Sequence, residues 1–132
     1  MHKRYLSTGA LSAAIAVILG AFGAHGLKQI VYPETVNTFQ TGVQYQMYHS
    51  LALLAVGLIS ERNPGKMIKW AGICFIGGIL LFSGSLYFLT ALQATGTVGL
   101  SGVGIITPFG GLFFIAGWLF LFAAVIKKIK NC

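Results

Sequence analysis

Acidic side chains are almost absent from this chain. Its 132 residues include two Asp/Glu, Glu34 and Glu61, against nine Lys/Arg, and charged residues make up only 8%. A soluble domain usually carries about 25% charge. Neither glutamate lies in an apolar run, so the buried carboxylate that cation-exporting, proton-coupled antiporters normally need is missing. Without an Asp there is no Ser-His-Asp triad, and any enzyme would have to rely on His49 alone, so the sequence does not favour an enzyme.

Cysteine is scarce as well, and metal ligands do not cluster. Cys74 lies early in an apolar run, Cys132 is the last residue, and neither belongs to a metal-binding spacing. On straight helices His25 and His49 would differ in height by roughly 13 Å, which is too far for a shared metal or for axial ligation of one haem. We therefore expect two free thiols, no metal site and no cofactor.

Hydrophobic residues are the abundant class, at 56% of the chain. A chain this small could not cover so much apolar surface, so its solvent must be lipid. Each of four apolar segments approaches or exceeds the roughly 20 residues of a bilayer crossing. The segments cover residues 5–27, 39–60, 67–92 and 104–126. Short connections predict an all-α fold, a four-helix transmembrane bundle that forms one domain over 1–132, with an outer loop at 94–104.

Basic residues are concentrated on one side of these segments. Eight of the nine, all except Lys28, precede the first segment, lie between the second and third, or follow the fourth. The positive-inside rule then places both termini in the cytoplasm. Cations at the ends of apolar runs indicate membrane topology and not a nucleic-acid interface. The first segment is longer than a usual signal-peptide core, so we expect it to be retained.

A polar stretch, residues 44–50, interrupts the second segment. Lipid offers these groups no hydrogen-bond partner, so they must face protein, water or a ligand. At 100° per residue, Gln44 and Tyr48 lie on the side opposite to a polar face about 140° wide. That face carries Gly42, Tyr45, Gln46, His49, Ser50 and Gly57. One inward polar face would suit an outward-facing ligand pocket or an ordinary interhelical hydrogen-bond network.

Polar groups of the other segments are predicted at similar depth. A rise of about 1.5 Å per residue places the strongly polar side chains in the outer half of the bilayer. His25 ends the first segment, where it is expected to cap the helix or to respond to pH. The candidate ligand-binding residues are His25, Tyr45, Gln46, His49, Ser83, Ser85, Tyr87 and Thr107.

Glycine is heavily used, with 18 residues. Gly9 and Ala13 are four residues apart, and Gly110 and Gly117 are seven apart. These spacings place small residues on one helix face, where two backbones can approach closely. The pattern predicts tight helix packing, and a glycine-lined pore is the alternative.

Several short sequence motifs follow one another along the chain. They are residues 20–27 (GAFGAHGL), 41–49 (TGVQYQMYH), 82–87 (FSGSLY) and 106–111 (ITPFGG), followed by Gly117-Trp118. In this order and at this length the chain resembles the small bacterial membrane proteins of domain of unknown function 423, also called uncharacterised protein family 0382. The resemblance implies a multi-pass protein of the bacterial cell (plasma) membrane. It implies no established activity, substrate or catalytic residue.

Two functional hypotheses follow from these patterns. The favoured one is an integral membrane protein whose outward-facing polar cluster binds or passes a small neutral or anionic ligand. The alternative is a structural or assembly partner for other membrane proteins, with no ligand of its own. The expected partners are the lipid bilayer and either a homo-oligomer or another membrane protein, without nucleic acid. A water-accessible cavity that reaches His49 would favour the pocket, whereas mutually bonded side chains would favour the assembly partner.

Overall fold

Four long helical segments make up the protein. The computed structural model describes residues 2–96 and 101–131, and these residues contain no β-strand. A short 3₁₀ turn, Leu27–Gln29, connects the first two segments. The segments are α1 (His2–Ala24), α2 (Pro33–Arg62), a composite third segment of α3 (Lys66–Gly78), a π turn (Ile79–Ser83) and α4 (Gly84–Ala94), and α5 (Ser101–Lys130). The predicted all-α fold is confirmed.

Neighbouring segments run antiparallel. Gly57 of α2 lies beside the first residues of α1, and Gly23 near the end of α1 lies beside the outer part of α2. In the same way, Gly117 of α5 approaches α3, while Gly110 approaches the π turn. The arrangement is an up-down-up-down bundle, which brings the basic chain segments together at one end.

Three of the segments are long and apolar enough to cross a membrane. They cover His2–Gln29, Lys66–Ala94 and Gly104–Lys130. Helix α2 has 30 residues, but polar side chains lower the hydropathy of its outer half. Because α2 packs antiparallel against α1 along most of its length, it extends over the same height of the bundle as α1. We therefore treat α2 as the fourth crossing.

Helix α5 begins earlier than the sequence predicts. Residues 101–104 are helical, although the glycine-rich composition predicted a loop up to 104; residues 97–100 of that loop, like Cys132, lie outside the described residues. Pro108 is therefore inside the helix, where it cannot donate to the carbonyl of Gly104. Glycine and proline are tolerated in membrane helices where neighbouring helices, Ser/Thr side chains or local adjustments of the backbone satisfy the freed backbone groups.

Close approaches at glycine hold the bundle together. A Cβ atom at Gly9 would lie 2.9 Å from the carbonyl oxygen of Ser50, and one at Gly110 would overlap the backbone of Phe82. Below the polar cluster, fully buried side chains such as Leu53, Val56 and Phe75 fill the space between the helices. The prediction of tight packing at small residues is confirmed at these contacts.

The π turn in the third segment was not predicted. Helical periodicity would place Phe82 on the buried face, but the turn contains an additional residue, and Ser83 is fully buried instead. Such turns occur often beside functional sites. Here the turn directs Ser83 and Tyr87 toward α2 and directs Ser85 toward α5.

Candidate functional site

The amide of Gln46 lies at the centre of a network that joins three helices. Its Nε2 donates to the backbone carbonyl of Ser12 in α1 at 2.9 Å. Its Oε1 accepts a hydrogen bond of 2.6 Å from the Tyr87 hydroxyl in α4. The side chain is only 5% exposed. Both ends of this amide are therefore bonded inside the bundle.

Ser50 extends the network one helical turn inward. Its Oγ lies 2.6 Å from the carbonyl oxygen of Gln46 and 2.7 Å from the Oγ of Ser12. Ser50 Oγ is the donor in both contacts, so its single proton is shared between the carbonyl of Gln46 and the hydroxyl of Ser12. Ser12 lies about 10 Å from the inner edge of the first predicted segment. The cluster therefore reaches the middle of the bilayer. The sequence predicted instead that the polar side chains are confined to the outer half.

Both nitrogen atoms of the His49 ring are bonded. Nδ1 lies 2.7 Å from the carbonyl oxygen of Tyr45, and Nε2 lies 3.1 Å from the indole Nε1 of Trp118. The carbonyl only accepts and the indole N–H only donates, so the ring is neutral with its proton on Nδ1. The ring also stacks on Phe114 with centroids 3.5 Å apart. This geometry leaves neither nitrogen free to take a substrate proton or to bind a metal.

Two serines connect the third segment to its neighbours. The Oγ of Ser83 donates to the carbonyl of Gly42 at 2.6 Å. The Oγ of Ser85 donates to the carbonyl of Phe82 at 2.8 Å and accepts from the hydroxyl of Thr107, whose oxygen is 2.6 Å away. Both serines are buried. These bonds link the region of the π turn to α2 on one side and to α5 on the other.

Six of the eight predicted site residues make hydrogen bonds between helices, and Tyr45 and His25 do not. The Tyr45 side chain is 39% exposed, and its ring packs against His49 and Phe82 at the edge of the inward face. His25 is exposed in the turn after α1, where its backbone N–H donates to the carbonyl of Phe22 at 3.3 Å. The structure therefore does not bring His25 into the cluster.

Sequence reasoning missed two members of the network, Ser12 and Trp118. A single serine in an apolar span adds no periodic signal, and a tryptophan in a membrane helix is usually interpreted as an interfacial residue. The signal available for Ser12 was its depth, because in an antiparallel neighbour it falls level with Ser50. For Trp118 the available signal was its indole N–H, which needs an acceptor when it lies inside a span.

The buried cluster is closed by its own hydrogen bonds. Within residues 2–96 and 101–131, every buried side-chain nitrogen and oxygen has a hydrogen-bond partner. In the same part of the chain, no three His, Cys, Asp or Glu side chains form a group that could hold a metal ion. A groove of about 280 Å³ between α1 and the third segment reaches Ser12 and Gln46, but most of its lining is apolar. Larger grooves lie at the basic end of the bundle, beside Lys66 and Lys128.

The opposite face of α2 is also polar, and it is exposed. Its side chains follow one another at alternating spacings of three and four residues, and we call this row the outer polar stripe. The stripe consists of Glu34, Asn37, Thr41, Gln44 and Tyr48. The hydroxyl of Thr41 donates to the carbonyl of Asn37 at 3.0 Å. In contrast, the described residues offer no hydrogen bond to the Gln44 amide or to the Tyr48 hydroxyl.

The depth of the stripe makes its exposure unusual. Counted from Phe39 at the outer edge of the span, Gln44 lies about 8 Å and Tyr48 about 14 Å inside. The exposed faces of the neighbouring crossings are apolar at such depths, with side chains such as Ile18 of α1 and Leu112 of α5. Among the residues that the structure describes, α2 is therefore the crossing that exposes hydrogen-bonding groups without a partner at these depths.

Comparison with known proteins defines the family. The profile of the family described as "Protein of unknown function (DUF423)" matches residues 19–111, which include the outer polar stripe and all eight predicted site residues. The chain belongs to this family. The UPF0382 membrane protein YwdK of Bacillus subtilis (strain 168) is 41% identical over 128 residues, which cover 96% of this chain and 99% of YwdK.

Further relatives of this DUF423 protein come from other bacteria. A UPF0382 membrane protein of Staphylococcus aureus (strain bovine RF122 / ET3-1) is 42% identical, with 95% of this chain and 97% of the relative covered. One from Haemophilus influenzae is also 42% identical, with 92% of each chain covered. No solved structure matches the chain. Together with its membrane-spanning helices, these relatives identify the protein as a multi-pass membrane protein.

Proposed function

We propose that this DUF423 protein is an assembly module of the membrane, a rigid bundle that presents the outer polar stripe of α2 to another transmembrane helix. One observation carries the proposal. Gln44 and Tyr48 are exposed inside the span, and their polar atoms have no hydrogen-bond partner in the described part of the chain. A second helix against the stripe would supply those partners.

The energetics favour such a neighbour. A polar group without a partner in hydrocarbon costs several kcal/mol, because no water is present to bond it. A hydrogen bond between membrane helices contributes about 0.6–2 kcal/mol, so two or three such bonds across the stripe would make association favourable. At the depth of Gln44 and Tyr48, the lipid-facing positions of α1 and α5 offer no comparable gain, since their exposed side chains, such as Ile18 and Leu112, are apolar.

The closed interior supports assembly over the outward-facing ligand pocket. A pocket requires polar groups that are available to a ligand. The Gln46 amide bonds to Ser12 at one end and to Tyr87 at the other, and His49 is bonded at both nitrogens. These inward polar groups therefore stabilise the bundle, whereas Gln44 and Tyr48, whose polar groups have no partner in the described part of the chain, lie on the opposite face of α2.

Photocrosslinking in native membranes tests the proposal. A photoreactive amino acid replaces Gln44, and a matched control replaces Phe109, which is exposed on α5 and also lies five residues inside the predicted outer edge. We expect discrete protein adducts from position 44 and only lipid adducts from position 109. If position 44 also labels only lipid, no protein covers the stripe and the proposal is wrong.

A further inference from the structure

We infer that the helix covering the outer polar stripe is α2 of a second copy of this chain, in a parallel and two-fold symmetric dimer. The inference rests on the proposed function and names the partner of the same surface. Three observations carry it: the spacing of the exposed residues along α2, the distribution of basic residues, and the chemistry of the exposed groups.

The exposed row continues along the whole of α2. After Tyr48 the same alternation of three and four residues reaches Leu51, Ala55, Leu58 and Arg62, all exposed except the half-buried Ala55. This is the spacing of left-handed helix pairs, which cross at about 20°. A second long helix can therefore contact the row over its full length, with polar contacts in the outer half and apolar contacts in the inner half.

The basic residues determine how two copies meet. Eight of the nine Lys/Arg residues lie at one end of the bundle, so every copy is expected to insert in the same orientation. Two α2 helices that touch in one membrane then run parallel. In a symmetric pair of this kind, each residue faces its own counterpart at the same depth.

The exposed groups suit such self-pairing. A carboxamide carries both a donor and an acceptor, so Gln44 can bond to the second copy's Gln44, and a tyrosine hydroxyl can both donate and accept. An unrelated helix would need a polar group at the same depth, whereas a second copy supplies one by symmetry. Further inward, the small side chain of Ala55 lies between Leu51 and Leu58 and allows the two backbones to approach.

Charges at the two ends of the row do not oppose this dimer strongly. Glu34 and Arg62 would each face a like charge. Both side chains are exposed in the first and last turns of α2, outside the predicted span of 39–60. Water and salt screen such pairs, and the side chains can turn apart.

Disulfide crosslinking of the full chain in native membranes tests the dimer. The background carries Cys74→Ala and Cys132→Ser, and Gln44→Cys or Tyr48→Cys supplies the single thiol. The matched controls are Phe109→Cys and Leu112→Cys, which are exposed at similar depths on α5. After mild oxidation we expect the dimer to be the main species for positions 44 and 48 and only a trace for the controls. Equal dimer from α2 and α5 positions would reflect random collision and would overturn the inference.

Two further arms separate the possible failures. Chains with Gln44→Cys mixed with chains carrying Leu58→Cys should give almost no mixed dimer, since the two positions differ in height by about 21 Å in a parallel pair. Efficient mixed crosslinking would contradict the parallel register. If position 44 gives no disulfide dimer but still gives photo-adducts with other proteins, the second copy is the wrong partner and the assembly function stands. If it gives neither product, both proposals fail.

Discussion

The two faces of α2 differ in what their polar residues do, although their composition is similar. Gln46 on the inward face is buried and bonded to Ser12 and Tyr87. Gln44, two residues earlier, is exposed on the outward face and bonds to nothing in the described part of the chain. Polar residues in one span can therefore either stabilise the fold or remain available for a partner. The helix face, and not the residue type, decides between the two roles.

Removal of the His49 ring is expected to have the largest effect on the inward face. His49→Ala leaves a cavity beside Phe114 and removes the acceptor of the Trp118 indole N–H. Truncation of a buried aromatic side chain costs about 3–5 kcal/mol, and a loss of this size is expected in the free energy of unfolding in detergent. His25→Ala, at an exposed position, is the control and should change it by less than about 0.5 kcal/mol. Similar unfolding curves for both variants would contradict the role assigned to His49.

Substitutions of the two glutamines test most directly whether the two faces of α2 have different roles. Gln46→Leu leaves the half-buried Tyr87 without an acceptor for its hydroxyl and should lower the free energy of unfolding by about 1–3 kcal/mol. Gln44→Leu should leave it within about 0.5 kcal/mol. For crosslinking in membranes we expect the opposite order of effects, because Gln44→Leu should abolish crosslinking through a thiol at position 48. If both substitutions destabilise the isolated chain equally, the two faces do not differ as described.

The two tyrosines give the smallest expected effect. Tyr87→Phe removes a hydroxyl that donates to Gln46, and such bonds in membrane proteins contribute about 0.6 kcal/mol on average and up to about 1.7. Tyr48→Phe removes a hydroxyl that has no partner in the described chain, so the isolated protein should unfold as the wild type does. Combination of Tyr87→Phe with Gln46→Leu should cost less than the two single changes added together. Full additivity would mean that the two side chains do not interact.

Much of the fold was predictable because the bilayer limits what an apolar chain can do. The lengths of the apolar segments predicted the helices, and a period of 100° per residue predicted which side of α2 faces inward. Gly42, Gln46, His49, Ser50 and Gly57 are all buried, as predicted. Tyr45 is the exception, because its large ring extends from the edge of that face toward Phe82.

The closed state of the cluster was not predictable from the sequence. It depends on pairings between side chains far apart in the chain, such as Ser85 with Thr107 and His49 with Trp118. Periodicity assigns each residue to a face but does not show which hydroxyl donates to which oxygen. The start of α5 was missed because glycine predicts a loop in water, whereas a membrane favours a helix whose backbone groups are bonded.

The π turn rotates the second half of the third segment about the helix axis relative to its first half. The additional residue rotates everything after Ile79–Ser83 by about 100° relative to a continuous α-helix. Before the turn, Gly78 contacts Phe114 of α5; after it, Tyr87 contacts Gly42 of α2. A regular helix could not keep both of these contacts at their present positions. A single segment can therefore pack against two neighbours with different registers. Deletion of one residue in the turn would preserve the packing against one neighbour and disrupt the packing against the other.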